Sequence, residues 1–291
     1  MKTKQTTPLR VVYSPKMVAE AQSYSPSAGK PSQVVADWQE RGLVLELIEP
    51  EAATVAELSL AHARAYVEGV LNQTRRNGFG NTSESVARAL PYTTGAMLTG
   101  ARLALDVGGA VAAPCSGFHH AGWGDGAGFC TFNGLMVTAL SLIKEQRAGR
   151  VLILDCDQHY GDGTDDILRR VGGSDRIRHF TAGRSFHDES QVEAFFETLT
   201  EVIEASGDVD VVLYQAGADP HIDDPLGGWL TTAELRQRDA IVFEAVAARK
   251  IPIVWNLAGG YQRDALGGIS PVLKIHHNTA LEHVRVFCKE G

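Results

Sequence analysis

Val151-Leu152-Ile153-Leu154-Asp155-Cys156-Asp157-Gln158-His159-Tyr160-Gly161-Asp162-Gly163 is the stretch from which the fold can be read. It opens with four aliphatic residues in a row, too short for a typical helix and right for a strand buried on both faces. It then breaks into three aspartates and one histidine within eight residues. Asp155, Asp157 and His159 are spaced by two, so an extended chain continuing past Leu154 would aim all three at one face. Charges buried without partners are expensive, which makes this a poor way to build a core. It is a good way to hold a divalent metal.

The same strand pattern recurs along the chain. Short apolar runs at Leu9–Tyr13, Leu43–Ile48, Ala110–Ala113, Arg176–Thr181, Asp210–Gln215 and Ile251–Asn256 read as strands. Helical segments are expected at Gln33–Gln39, Thr54–Leu58, His62–Gln73, Leu90–Val107, Asn133–Gln146, Thr164–Val171, Ser190–Ala205, Thr231–Ala248 and Thr279–Phe287. Ala61, Ala65 and Val70 are expected on one apolar side. Strands alternating with helices, with continuous apolar inner strands, imply a three-layer α/β/α architecture around a mainly parallel sheet. No repeat, low-complexity linker or composition break divides residues 1–291, so a single domain is expected.

Composition narrows the function classes. The chain has 291 residues, 44% of them hydrophobic and 21% charged, with a net charge of −8. The surface as a whole attracts neither nucleic acid nor anionic membrane. No apolar run reaches transmembrane length. Met1–Arg10 is polar and basic without an apolar segment, so no signal peptide is read there. Cys115, Cys130, Cys156 and Cys288 show no C-x-x-C spacing, which suggests reduced thiols in a cytoplasmic protein.

In parallel sheets of this kind ligands sit beyond the carboxyl ends of the strands. Four expected strands end in chemistry: His119-His120, Asp155 to Asp162, Asp219 and Tyr261. Asp157, His159 and Asp219 form a plausible catalytic zinc set, two carboxylates and an imidazole with a position left for water. His119 and His120, adjacent in a Gly-rich loop, suit acid/base work near neutrality. Asp155 and Asp162 could each orient one of those histidines. Tyr261, after Ala258-Gly259-Gly260, could donate to a developing oxyanion. Each feature has a plainer reading. A histidine pair is more often a satisfied loop feature, Asp162 is a natural helix cap, and Asp219-Pro220-His221 could be a turn. Taken together, the plain readings need four coincidences at one edge of one sheet. His62 is assigned to packing, and His276-His277 to a structural or exposed role.

At these residues the chain resembles the zinc-dependent histone deacetylase superfamily, which includes bacterial acetylpolyamine amidohydrolases and acetoin-utilisation-type proteins. Ser116-Gly117-Phe118-His119-His120-Ala121 is similar to the family's P-P-G-H-H-A, and Gly128-Phe129-Cys130-Thr131-Phe132-Asn133 to G-F-C-x-x-N. The opening stretch resembles D-x-D-x-H-H-G-D-G-T, with Tyr160 in place of the second histidine. Gln215 to Asp219 and Gly259-Gly260-Tyr261 are similar to the family's x-x-G-x-D and G-G-Y.

The resemblance implies an arginase/deacetylase-like fold and hydrolysis of an N-acyl-lysine or small acylated amine. It implies zinc on Asp157, His159 and Asp219, His120 as general base and acid paired with Asp162, and His119 paired with Asp155 in an electrostatic role. Tyr261 would polarise the amide carbonyl. Phe129 and Leu226 would wall the acyl-lysine tunnel, and the Gly128 carbonyl would meet the substrate N–H. A structural potassium ion is implied at Asp155, Asp157 and His159, with Thr181 contributing. The family's early H-P-E-R-P stretch is here Tyr24 to Pro31, and the loop that often carries a substrate-gripping Asp is Asn77 to Asn81, without one. A homo-oligomer stays compatible with the sequence. Two competitors are a binuclear manganese ureohydrolase-like enzyme and a catalytically weak protein that binds acylated ligands.

Overall fold

The computed structural model describes residues 7–172 and 175–288. Of the basic N-terminal stretch, residues 1–6 lie outside the described part. Seven strands form one sheet: β1 (Leu9–Val12), β2 (Leu45–Ile48), β3 (Ala110–Ala113), β4 (Val151–Asp155), β5 (Ile177–Thr181), β6 (Val211–Gly217) and β7 (Ile253–Ala258). Their spatial order is β2-β1-β3-β7-β6-β4-β5, and every neighbouring pair is parallel. β3, β4, β6 and β7 are buried at every residue, as continuous apolar runs require.

The period-two alternation of these strands feeds two cores. From β4, Leu152 and Leu154 enter a core with Trp38, Phe195 and Phe243. These come from α1 (Lys30–Glu40), α7 (Val192–Ala205) and α8 (Thr232–Ala248), and α9 (Ser270–Phe287) adds Val272 and Ile275. Val151 and Ile153 point the other way, toward Leu58, Val67, Met97, Leu135 and Ile167. Those belong to α2 (Val55–Ala61), α3 (Arg64–Leu71), α4 (Glu84–Val107), α5 (Gly134–Lys144) and α6 (Asp162–Val171). The result is the expected three-layer α/β/α arrangement. No helix among the described residues is long and apolar enough to cross a membrane.

Several element boundaries differ from the sequence reading, for local reasons. α9 starts at Ser270-Pro271, nine residues before the expected Thr279, because proline suits a first helical turn, where its missing N–H costs nothing. α1 likewise starts at Lys30-Pro31. α4 starts at Glu84, capped by the Ser83 hydroxyl, and carries Pro91 in its interior, where a break would be expected. Ala65 is exposed; Tyr66, Val67 and Val70 form the buried side of α3. β4 ends at Asp155, so Asp157 and His159 do not continue the strand alternation; a turn carries them to the site.

The four strands that end in chemistry, β3, β7, β6 and β4, are consecutive in the sheet. Their carboxyl ends therefore open onto a single crevice.

Candidate active site

The site grows out of the ends of these four strands. From the turn after β4 come Asp157 and His159, and just beyond the end of β6 comes Asp219. One ligand atom from each lies within 4.8 Å of the others. His159 Nδ1 stands 3.2 Å from Asp157 Oδ1 and 3.1 Å from Asp219 Oδ2. Both carboxylates are buried. Their environments part them: His119 and His159 outweigh burial and hold Asp157 down, whereas burial and then the Asp157 charge push Asp219 up. Hydrogen bonds to both carboxylates hold His159 protonated up to about 11. The trio is thus cohesive only around positive charge, and its donor set suits a divalent metal. Gly259 makes room for it: a Cβ there would lie 2.1 Å from the Asp219 carboxyl carbon, and its φ of +47° is left-handed.

His119 and His120 follow β3, their ring centroids 4.1 Å apart. His119 Nδ1 bonds to Asp155 Oδ2 at 2.8 Å, and His120 Nδ1 to Asp162 Oδ1 at 2.7 Å. The two histidines are tuned apart. Burial lowers His119, but Asp155 and Asp157 outweigh it and raise it to about 9. Burial first, then the neighbouring His119, lowers His120 and favours a neutral imidazole. Asp155 Oδ1 also accepts from the Asp157 backbone N–H at 3.1 Å and from Gln215 Nε2 at 2.9 Å. The turn, the histidine and β6 are therefore joined at one buried carboxylate. Asp162 is instead 61% exposed and borders an open groove on the far side of His120.

A cavity of about 280 Å³ brings together His119, His120, Gly128, Asp157, His159 and Tyr261. Burial pushes the Tyr261 hydroxyl well up, so it stays a phenol able to donate. Its ring lies 5.7 Å from Phe129 and 6.4 Å from Tyr24. Gly128 and Phe129 are both left-handed, at φ +53° and +64°. A side chain at Gly128 would strike the His120 ring at 2.5 Å. Phe129 borders an adjoining apolar cavity of about 440 Å³ rather than the metal-side one. Leu226 and Thr181 do not line the central cavity either. Leu226 sits 37% exposed on the loop after β6. Thr181 is buried beside β4, its hydroxyl accepting the Gly161 N–H at 3.1 Å.

Sequence reasoning passed over two side chains here. Lys30 is completely buried and its Nζ donates to the Gly259 carbonyl. Burial lowers it to about 8 against the pull of Asp219, Asp157 and Asp224. Asp224 accepts the Tyr261 backbone N–H at 2.7 Å and the Leu226 N–H at 3.0 Å. For Lys30 the only sequence signal is its place in Gly29-Lys30-Pro31, just ahead of a helix; for Asp224 it is an aspartate two residues before Leu226. His62 and His276 are structural as expected: His62 is buried between the Gly122 carbonyl and the Asn133 N–H, each at 2.8 Å, and His276 is buried within α9. All four cysteines are free and buried.

Comparison with known proteins agrees with this geometry. The histone deacetylase domain family matches residues 26–179 and 172–273. An uncharacterized protein of Picosynechococcus sp. is 30% identical over 241 residues, covering 75% of this chain and 80% of that protein. The acetoin utilization protein AcuC of Bacillus subtilis is 25% identical over 257 residues, 74% of this chain and 66% of that one. AcuC of Staphylococcus aureus strain MSSA476 is 35% identical over 133 residues, 41% of this chain and 34% of that one. The match runs through all four strand ends, and the chain belongs to the histone deacetylase family, as a hydrolase of the deacetylase type.

Proposed function

We propose that this hydrolase uses zinc to cleave the amide bond of an N-acetyl-lysine or of a small acetylated amine or polyamine. The observation that carries the reading is the Asp157–His159–Asp219 cluster facing two histidines, each tied to its own carboxylate, across one cavity. Two carboxylates and one imidazole favour a single zinc. It is the sole such group among the described residues, which disfavours a binuclear manganese centre.

The metal would supply polarisation of the acyl carbonyl and a more acidic water. The protein supplies the rest. His120 Nδ1 is occupied by Asp162, so Nε2 is the atom that takes the proton as water attacks the carbonyl carbon. His119, charged between Asp155 and Asp157, stabilises the negative charge of the adduct. The Tyr261 phenol donates to the developing oxyanion. As the C–N bond breaks, His120 returns its proton to the leaving amine. The Gly128 carbonyl accepts the substrate N–H, and Phe129 and Leu226 flank the entering side chain.

A potassium ion at Asp155, Asp157, His159 and Thr181 belongs to the same proposal. Both Asp155 oxygens and the Thr181 hydroxyl already accept hydrogen bonds. One catalytic domain over residues 1–291, a cytoplasmic location and independence from nucleic acid and membrane complete the reading.

The test is a panel of acetyl-lysine peptides and acetylpolyamines assayed for acetate release with and without chelator. Release that chelator abolishes and zinc restores is the expected outcome. Two manganese ions per active chain, or tight binding of acylated ligands without release, would overturn it.

A further inference from the structure

The rim loop after α3 carries an unusual pair of cations. Every other arginine among the described residues donates to a carboxylate or a carbonyl, or stands within ion-pair distance of an acid. Arg75 and Arg76 are exposed, and no acid among the described residues comes within ion-pair distance of either guanidinium. On a chain with a net charge of −8, two adjacent cations left without an internal acid are available to an external one. Arg75 is also preset. Its backbone N–H donates to the Gly69 carbonyl at 3.0 Å, and its side-chain stem lies across Gly69, where a Cβ would meet Arg75 Cγ at 2.8 Å. The stem is clamped while the head is free, which lowers the ordering cost of binding.

Both arginines border an open hollow of about 680 Å³, with Tyr66, Gly78, Asp125 and Gly126 on its walls. Asp125 stands beyond ion-pair distance of both, so the hollow keeps a surplus positive charge. It adjoins the acyl-lysine entrance: Phe79, three residues after Arg76, packs on Phe129 at 5.9 Å, and the Gly78 carbonyl accepts the Phe129 N–H at 3.1 Å. Three residues span at most about 11 Å. The cations therefore lie within roughly five extended residues of the tunnel wall.

We propose that Arg75 and Arg76 form an anion-recognition subsite that takes the carboxylates of an acidic peptide segment flanking the acylated lysine. The proposal rests on the deacylase reading for its place beside the tunnel, and a binding arm separates the two. Acetyl-lysine peptides carrying Asp and Glu two to five residues from the lysine are compared with Asn/Gln and Lys versions, in hydrolysis and in fluorescence anisotropy. For two exposed charge pairs, the acidic peptide should show a KM and Kd about three- to tenfold lower than the neutral one, with similar kcat. The preference should fade in high salt. The double variant R75Q/R76Q keeps the side-chain stems, so it should fold normally. It should bind acidic and neutral peptides equally and hydrolyse a short acetyl-lysine amide at the wild-type rate.

Equal affinity of the wild-type protein for acidic and neutral peptides would overturn the subsite, and so would a preference that survives in R75Q/R76Q. Competition by inorganic phosphate alone, without peptide discrimination, would identify a small-anion site and also overturn it. If no peptide is hydrolysed yet acidic peptides bind and R75Q/R76Q abolishes that binding, the subsite stands and the deacylase reading fails.

Discussion

Tyr261 and His62 show how burial shapes a single side chain toward opposite ends. Tyr261 is buried enough that its phenol keeps its proton, and its partners are aromatic rather than polar. That is the state of a donor waiting for an acceptor that appears only during reaction. Replacing it (Tyr261→Phe) should lower kcat by about 10²–10³ while changing KM little, the loss expected for an oxyanion donor. Steady-state kinetics on an acetyl-lysine substrate check this, and unchanged kcat would remove the role. His62, by contrast, is satisfied in the ground state. Its Nδ1–H donates to Gly122 and its Nε2 accepts from Asn133, so only the neutral ring fits both partners. Burial lowers it to about 4, below its unfolded value of about 6.5. The unfolded chain therefore takes up a proton as pH falls below 6.5 and the folded chain does not until about 4. Stability linked to His62 is complete above pH 6.5 and is lost toward pH 4, by up to about 3 kcal/mol. Urea midpoints of His62→Gln should fall at pH 7 yet depend less on pH across that window than those of the wild type.

The strand ends were the legible elements. A run of aliphatic residues stopping at aspartates or histidines marks both a buried strand and the charge that ends it, so β4 and the candidate ligands that follow it could be read locally. What escaped depends on partners far along the chain. Nothing near Lys30 says that its ammonium will be buried, because the acceptor that permits it, the Gly259 carbonyl, lies 229 residues away. α4 and α9 run further toward their N-termini than the Leu90 and Thr279 starts expected of them: Pro271 stands in the first turn of α9, and α4 tolerates Pro91 in its interior. Asp224 looked like loop polarity but joins two loops. One oxygen takes the Leu226 N–H after β6 and the other takes the Tyr261 N–H after β7. Removing it (Asp224→Ala) strips a charged acceptor from the backbone that aims Tyr261. A hydrogen bond of that type is worth about 1.5–3 kcal/mol. Turnover should fall by roughly ten- to hundredfold with metal affinity unchanged, and Asp224→Asn should recover part of the loss. A fall in metal content matching the fall in kcat would show instead that Asp224 supports the metal site.

At the scale of the whole molecule, sheet order turns separate motifs into one site. β3, β7, β6 and β4 lie side by side, so residues as distant in sequence as His119 and Tyr261 meet beyond one edge. Collecting Asp155, Asp157 and Asp219 there brings like charges into a buried space, which opposes folding unless positive charge joins them. A metal that binds Asp157, His159 and Asp219 only in the folded chain would stabilise all of it, because its ligands follow two adjacent inner strands. Zinc at a hundredfold excess over its dissociation constant adds about 2.7 kcal/mol. For a chain of 291 residues that corresponds to a rise in Tm of roughly 4–5 °C. Chelator should reverse the rise, and Asp157→Ala/Asp219→Ala should abolish it while remaining folded by circular dichroism. Hydrogen exchange should slow on zinc binding, most in the turns after β4 and β6 and least in β1 and β2, which stand at the other side of the sheet. A zinc-dependent rise that persists in the double variant would place the metal elsewhere and separate the cluster from the chemistry assigned to it.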